Sequence, residues 1–254
     1  MNTHTKNDRS AWLQGPSATC STIPKVVSAC WRLVLLGAPG VGKGTQAHLL
    51  NERLGACHLP MGDVFRAAGG RKSCELTPAM AEALEYMRRG DLVPDATVWE
   101  MVRERSGCLH CQGGFVLDGF PRTLGQAEAL NHLMVKEDLS LSAVVDYELP
   151  LAEIVSRISG RRICEQCKAV FHLTRQPSHV EGVCHECGGR LCQREDDRHE
   201  SVKLRLRVYE SSTAPLINFY RELGLLVPVE ASGSPEEICE RTLRAIELRH
   251  SQVG

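Results

Sequence analysis

The chain has 254 residues, of which 43% are hydrophobic and 24% are charged, and its formal net charge is −1. This balance is typical of a globular protein that is long enough for one sizeable domain. A charge so close to zero provides no overall attraction to nucleic acid, and no apolar run reaches the roughly 18 residues that a membrane span needs. We therefore expect no nucleic-acid partner and no membrane segment.

Residues 1–29 differ in composition from the rest of the chain. They are polar, rich in Ser and Thr, and lack the apolar h-region of a secretory signal. Asp8 and the absence of a regular arginine spacing argue against an organelle transit peptide. We expect a disordered extension, or a start assigned too far upstream, on a cytoplasmic protein. In that setting the 12 cysteines are more typical of thiols and metal ligands than of disulfides.

From Trp31 onward, short apolar runs alternate with stretches of helical period. The predicted strands are Trp31–Leu36, Gly114–Phe120, Ala143–Pro150 and Leu223–Ser232. The predicted helices are Thr45–Gly55, Pro78–Arg89, Pro94–Arg105, Leu124–Leu133, Leu151–Ser159, Glu200–Leu223 and Pro235–Arg249. Strands that alternate with helices predict an α/β fold, in which helices flank a parallel sheet on both faces.

The stretch Gly37–Thr45, GAPGVGKGT, follows the first strand and opens a helix, which is the context of a phosphate-binding loop. Its glycines let backbone N–H groups surround an anion, the helix N-terminus adds partial positive charge, and Lys43 can reach the terminal phosphates. Gly44 stands where this loop usually has Ser or Thr, and Thr45 follows it. The alternative is a chance glycine-rich turn. By itself the loop predicts nucleotide phosphates and specifies no reaction.

Two CxxC pairs, Cys164–Cys167 and Cys184–Cys187, lie in the segment 161–197, which lacks a continuous helical period. This spacing can supply four thiolates to one tetrahedral Zn²⁺, with iron as the alternative metal. A closed four-thiolate site leaves no position for a catalytic water, and so small a module buries too little apolar surface to fold well alone. The pattern therefore predicts a structural zinc site.

A nucleic-acid-binding finger and a redox pair are the other interpretations of these cysteines. The stretch Cys164–Cys187 contains two strongly basic residues against three glutamates, so it lacks the basic face of a nucleic-acid module. Two pairs at zinc-ribbon spacing also explain the residues better than a redox pair does. A further pair, Cys108–Cys111, stands alone, and we interpret it as incidental thiols, with a second metal site or a redox pair as alternatives.

Several motifs together resemble the adenylate kinase family, from about Trp31 to Arg249. They are GAPGVGKGT at Gly37–Thr45, GDVFR at Gly62–Arg66, GFVLDGFPRT at Gly114–Thr123, GRR at Gly160–Arg162, REDD at Arg194–Asp197 and TAPLINFY at Thr213–Tyr220. The resemblance implies a three-part P-loop kinase. Its core is 30–60, 91–160 and 198–254, the nucleoside-monophosphate-binding module (NMP module) is 61–90, and the zinc lid is 161–197. It also implies a monomer that binds ATP and AMP and converts them reversibly to two ADP with Mg²⁺.

The resemblance also implies a set of site residues. The implied ATP site is Gly40, Val41, Gly42, Lys43, Gly44, Thr45, Arg157, Arg161, Val170, Phe171 and Gly233. The implied AMP site is Met61, Arg66, Val93, Gly119, Phe120, Pro121, Arg122, Gln126, Arg194 and Arg205. The implied catalytic residues are Lys43, Arg122, Arg157, Arg194, Arg205 and Asp118, and the implied zinc ligands are Cys164, Cys167, Cys184 and Cys187. Arginine suits such a site because its planar, permanently charged guanidinium binds phosphate through two hydrogen bonds. Asp118 resembles the acidic residue that orders Mg²⁺ through water.

Met61 departs from the family pattern, which has a small hydroxyl residue near the AMP base. A methionine cannot donate that hydrogen bond. One alternative is therefore a kinase for another monophosphate, such as GMP, CMP or UMP. An alternative from a different class is a non-catalytic zinc-ribbon regulator that binds nucleotide or nucleic acid. Gln126, whose amide can both donate and accept, favours AMP. Phe171 either stacks on the ATP adenine or fills the lid as a hydrophobic plug.

Overall fold

A five-stranded parallel sheet forms the centre of the computed structural model, which describes residues 10–14, 29–69, 78–89, 91–167, 169–193, 197 and 199–253. The strands are β1 Trp31–Gly37, β2 Cys57–Pro60, β3 Gly114–Asp118, β4 Ala143–Glu148, β5 Arg161–Cys164, β6 Val170–His172, β7 Leu191–Cys192 and β8 Leu226–Glu230. The central order is β2-β3-β1-β4-β8, and β6-β5-β7 form a small antiparallel sheet. The predicted parallel α/β fold is confirmed.

Helices connect the central strands. They are α1 Ser10–Gln14, α2 Lys43–Leu54, α3 Met61–Gly69, α4 Pro78–Arg89, α5 Asp95–Arg103, α6 Leu124–Lys136, α7 Leu151–Gly160, α8 His199–Val208, α9 Pro215–Glu222 and α10 Pro235–Val253. A 3-10 segment covers Ser106–His110, and a π-helical turn covers Tyr209–Thr213. Within the described ranges, no helix is both long and apolar enough to cross a membrane.

Alternate residues of the central strands point to opposite faces of the sheet and fill two hydrophobic cores. Val34 and Leu36 of β1 belong to one core, whereas Leu33 and Leu35 belong to the other. Strands that are buried on both faces have nearly continuous apolar sequences. This is why the sequence alone predicts β1, β3 and β4.

Two elements differ from the predicted pattern. The pattern does not predict β2, because this strand has four residues, ends in Pro60 and lies at the edge of the sheet. The helix predicted over Glu200–Leu223 is interrupted by the π-helical turn before Pro215. Proline lacks a backbone N–H and its ring clashes with a carbonyl of the preceding turn, so it starts α9 instead of continuing α8.

The disorder expected over 1–29 does not hold for α1. Trp12 of this helix is 1% exposed and belongs to the same hydrophobic core as Val34 and Leu36. The polar sequence around it gives no helical period, so its order depends on tertiary contacts, in which Ala11 and Leu13 pack against the same core. The other residues of this extension, 1–9 and 15–28, lie outside the described ranges.

Asp146 places a carboxyl group in the otherwise apolar β4, where it is 2% exposed. Burial, together with the charge of Glu148, raises its pKa from 3.8 to about 6 against the attraction of Lys43 and Arg221. Between about pH 4 and pH 6, Asp146 therefore keeps a proton in the folded chain that it has released in the unfolded chain. In this window the group lowers the free energy of unfolding as the pH rises.

We predict that Asp146→Asn stabilises the protein at pH 7, because the amide carries no charge into the sheet. The gain should be up to about 3 kcal/mol at pH 7, since one pKa unit corresponds to about 1.4 kcal/mol, and it should shrink toward pH 4. Urea unfolding of both proteins at several pH values measures it, with Glu128→Gln at an exposed position of α6 as the control. A variant that is less stable than the wild type at pH 7 would contradict this prediction.

Candidate active site and metal centre

The carboxyl ends of the parallel strands bring the phosphate loop and Asp118 to one edge of the sheet. Asp118 ends β3 and pairs in register with Leu35 of β1, two residues before the loop begins at Gly37. On the other side Asp118 pairs with Pro60 of β2, directly before Met61. In open α/β sheets, ligands bind at this edge.

Close packing explains one of the glycines in the loop. Gly40 has a φ of 86°, and a Cβ there would overlap Cγ1 of Ile158 in α7. A Cβ on Gly44 would lie 3.4 Å from Oδ2 of Asp118, which is an ordinary van der Waals contact. The structure gives no packing reason for glycine in place of Ser or Thr at position 44.

Lys43 is the cation at the centre of the loop. Its Nζ donates to the carbonyl oxygens of Gly37 at 2.6 Å and Ala38 at 3.0 Å. Burial lowers its pKa to about 8; Asp118 opposes this shift, and the positive charges of Arg122 and Arg205 add to it. A bound anion would relieve the repulsion among these three cations.

Asp118 is paired with His58, a residue that the sequence analysis did not identify. Burial acts to raise the pKa of Asp118, but the hydrogen bond and charge of His58, with Lys43 and Arg122, outweigh burial and bring the pKa below its usual value. His58 Nε2 lies 3.5 Å from Asp118 Oδ2, and both side chains are largely buried. The carboxylate is therefore held in its ionised form. A histidine in a four-residue apolar strand is the sequence signal for this pair.

Arg157 joins two parts of the predicted ATP site. Its guanidinium donates to the carbonyl of Val41 at 2.9 Å and to that of Ala231 at 2.7 Å, two residues before Gly233. Burial lowers the pKa of Arg157, with the charge of Arg175 adding to the effect. The structure thus brings Arg157, the phosphate loop and the segment that contains Gly233 together.

Asp197 organises two further predicted arginines, a role that its motif did not reveal. Arg161 Nε donates to Asp197 Oδ2 at 2.7 Å, and Arg205 Nη1 lies 3.5 Å from Asp197 Oδ1. The Asp197 side chain is fully buried, so its charge requires such partners. Arg194 lies outside the described residues.

The predicted AMP residues after β3 form a hydrogen-bonded chain. Gln126 is 3% exposed; its Oε1 accepts from the backbone N–H of Arg122 at 2.8 Å, and its Nε2 donates to Asp95 Oδ1 at 2.7 Å. The hydroxyl of Thr123 donates to the other oxygen of Asp95 at 2.6 Å. Arg122 Nε donates to the carbonyl of Gly119 at 2.9 Å. Asp95 is a positioning residue that the sequence analysis missed, because its role depends on pairing between α5 and α6.

Three further residues of the predicted AMP site belong to the hydrophobic core beneath this hydrogen-bonded chain. Met61, Val93 and Phe120 are all buried in the core that contains Trp12. Arg66 lies on α3, and its side chain is outside the described part of the structure. Met61 therefore contributes apolar packing at the start of α3.

Val170 and Phe171, two residues of the predicted ATP site, differ in their exposure to solvent. Val170 is 46% exposed, whereas Phe171 is 4% exposed and packs with Cys164 and Cys184. The rings of Phe171 and His185 meet edge to face at 4.9 Å. This placement favours Phe171 as the hydrophobic plug of the lid over a stacking partner for adenine, because its ring is almost fully buried beside the cysteines.

The four lid cysteines form a cluster that fits a metal ion. Their sulfur atoms all lie within 4.8 Å of one another, with Cys164 and Cys187 3.4 Å apart and Cys167 and Cys184 3.6 Å apart. Tetrahedral Zn²⁺ with bonds of about 2.3 Å would separate its sulfur ligands by about 3.8 Å. The four sulfur atoms would therefore move little when the ion binds.

The sulfur of Cys164 also has the environment of a thiolate ligand. Burial acts to raise its pKa, but backbone N–H groups of Cys167 and Gln166 and neighbouring thiols lower it to about 6. Hydrogen bonds of this kind to a ligand atom orient it and tune the metal site.

The isolated pair Cys108–Cys111 does not form a second cluster of this kind. Within the described ranges, the lid cysteines are the one group of three or more His, Cys, Asp or Glu residues close enough to hold a metal ion. Cys111 instead hydrogen-bonds Cys57 of β2 and lowers the pKa of that thiol, while Cys108 is buried.

A phosphate loop that contains Lys43, an acidic residue at the end of the neighbouring strand β3, and arginines close to both define a P-loop nucleoside monophosphate kinase. A family model described as adenylate kinase matches residues 35–225. The chain belongs to the adenylate kinase family, which confirms the resemblance in the sequence.

Curated relatives support the same assignment. The chain is 46% identical to the adenylate kinase of Carboxydothermus hydrogenoformans, over 82% of this chain and 95% of the relative. It is 45% identical to that of Streptomyces griseus subsp. griseus, over 85% and 97%, and 44% identical to that of Thermodesulfovibrio yellowstonii, over 82% and 94%. The relatives are matched almost end to end, whereas about a sixth of this chain lies outside each alignment.

We predict that the purified protein holds one metal ion per chain and that Cys187→Ser loses it, because removal of one thiolate opens the tetrahedral shell. Elemental analysis after dialysis measures the stoichiometry. Cys192→Ser is the matched control, since this half-buried lid thiol lies outside the cluster and contacts the carbonyl of Ile163. Retention of the metal by Cys187→Ser, or a metal-free wild-type protein, would contradict the assignment.

Proposed function

We propose that the protein transfers the terminal phosphoryl group of ATP to AMP, reversibly, and produces two ADP. The observation that carries this proposal is the meeting of Lys43, Asp118 and Arg122 at the carboxyl edge of the sheet. Phosphoryl transfer requires positioning and charge stabilisation more than covalent chemistry by the protein, and these side chains supply both. Family membership supports the same reaction.

The roles of the individual side chains follow from their positions. Lys43 and the loop that contains Gly40–Thr45 hold the ATP phosphates, and Arg157 orients the same loop. Arg122 and Arg205, whose charges act on Lys43, stabilise the charge of the transferred group, with Arg194 as a further predicted member. On the AMP side, Asp95 fixes the amide of Gln126, which leaves one of its N–H groups to read the base.

Two metals belong to the proposal. Mg²⁺ bound with ATP neutralises phosphate charge, and Asp118 would hold its waters, because Mg²⁺ keeps several waters and needs few protein ligands. Zn²⁺ is proposed for the four lid cysteines, where it would make the lid one rigid body. A rigid lid can close over ATP and exclude water, which prevents wasteful hydrolysis. The expected monomer, cytoplasmic location and absence of a nucleic-acid partner stay predictions.

The test is ADP or nucleoside diphosphate formation from MgATP with a panel of AMP, GMP, CMP, UMP and dTMP. We predict a preference for AMP by orders of magnitude in kcat/KM. Gln126→Leu should raise KM for AMP by about tenfold or more, because the edge of the base then loses the amide with which it forms a hydrogen bond. The exposed Gln112→Leu serves as the control.

Each contrary result has a defined meaning. Preference for another monophosphate would assign Met61 to an altered base site and would overturn the choice of AMP. No turnover by a folded, metal-loaded protein would overturn the kinase proposal in favour of a nucleotide-binding regulator.

A further inference from the structure

The N-terminal helix α1 contacts the point where the NMP module joins the core. The indole Nε1 of Trp12 donates to the carbonyl of Pro60 at 3.2 Å. Pro60 is the last residue of β2, and Met61 is the first residue of α3. The same indole packs in the hydrophobic core that contains Met61, Val64 and Phe65 of α3. One side chain therefore contacts both the end of a fixed strand and the first turns of the module.

A buried arginine fixes the other side of α1 to the core. Arg105, 5% exposed, follows α5 and donates through Nε to the backbone carbonyl of Trp12 at 2.7 Å. Its Nη1 donates to the carbonyl of Met101 at 3.0 Å and to Glu104 Oε2 at 3.1 Å. A buried guanidinium needs hydrogen-bond acceptors, and the carbonyl of Trp12 is one of those that Arg105 uses. Hence α1 is attached to the core through Arg105 and Pro60, and to the module through the packing of Trp12 against α3.

We propose that α1 is a brace that holds the start of α3 against the core, and that Trp12 is a positioning residue for the AMP site. The inference rests on the proposed assignment of AMP to Met61, Arg66 and the rest of the NMP module. Met61 and Arg66 lie on α3, so a shift at its first turn moves both. Helix α1 lies before residue 35, where the match to the family model begins. The proposed brace is therefore outside the part of the chain that the family model covers.

The geometry predicts an effect on AMP and not on ATP. The ATP side is held by contacts of its own, since Arg157 connects the phosphate loop to Ala231. Loss of the brace should therefore weaken AMP binding and leave ATP binding unchanged. A merely structural role would lower the melting temperature without separating the two substrates.

The experiment compares tryptophan substitutions in the two cores of the full chain. Trp12→Ala should raise KM for AMP by about tenfold, which corresponds to 1.4 kcal/mol, with KM for ATP unchanged. Trp12→Phe keeps most of the packing but loses the indole N–H, so its effect should be smaller. Trp31→Ala and Trp31→Phe are the matched controls, because Trp31 is buried in the other core and packs against His250. They should lower the melting temperature and leave both KM values unchanged.

Equal changes in both KM values for Trp12→Ala, or no change in KM for AMP, would overturn the proposal.

A second measurement, of tryptophan fluorescence, does not depend on turnover. The chain has three tryptophans, so Trp31→Phe with Trp99→Phe leaves Trp12 as the single fluorophore. We expect the emission of Trp12 to be blue-shifted and poorly quenched by acrylamide, because the indole is buried. Emission that acrylamide quenches freely would overturn the docked position of α1. Failure of the wild type to use AMP would instead overturn the proposed function, which separates the two results.

Discussion

The active site depends on one geometric constraint, which is that parallel strands end at the same edge of their sheet. This constraint brings the half-buried Lys43 after β1 and the half-buried Asp118 at the end of β3 into one electrostatic environment. Each group is costly to bury alone, and each reduces the cost of burying the other. The phosphate loop, the arginines and His58 are arranged around this pair. A nucleotide phosphate would complete the charge balance, because Lys43, Arg122 and Arg205 are three cations beside the one carboxylate of Asp118.

In the proposed reaction, the lid would exclude water from the nucleotides. Its four cysteines can hold together a module whose apolar interior is little more than Phe171 and its neighbours. At its base, Asp197 pairs with Arg161 of β5 and lies near Arg205 of α8, so the same arginines that would bind phosphate are held by a carboxylate. In the proposed reaction, phosphate oxygens compete with Asp197 for these guanidinium groups. That competition couples nucleotide binding to the position of the lid.

The sequence predicts the elements that carry a local signal. Continuous apolar runs reveal β1, β3 and β4, and the spacing of two CxxC pairs anticipates the cysteine cluster. The features that it misses depend on tertiary pairing. His58 matters only because β2 lies beside β3, and Asp95 matters only because α5 meets Gln126 of α6. Trp12 has no periodic pattern around it, so its burial against Pro60 is invisible without the fold.

The most direct test of this account is the rate of ADP formation from MgATP and AMP by Lys43→Ala. Lys136→Ala, at the exposed end of α6, is the matched control. The account predicts that kcat of Lys43→Ala falls by about a hundredfold or more, because a preorganised cation at the transferred phosphate is lost, while the control keeps the wild-type rate. A Lys43→Ala protein that keeps the wild-type kcat would contradict it, since the charge balance at the sheet edge would then have no part in phosphoryl transfer.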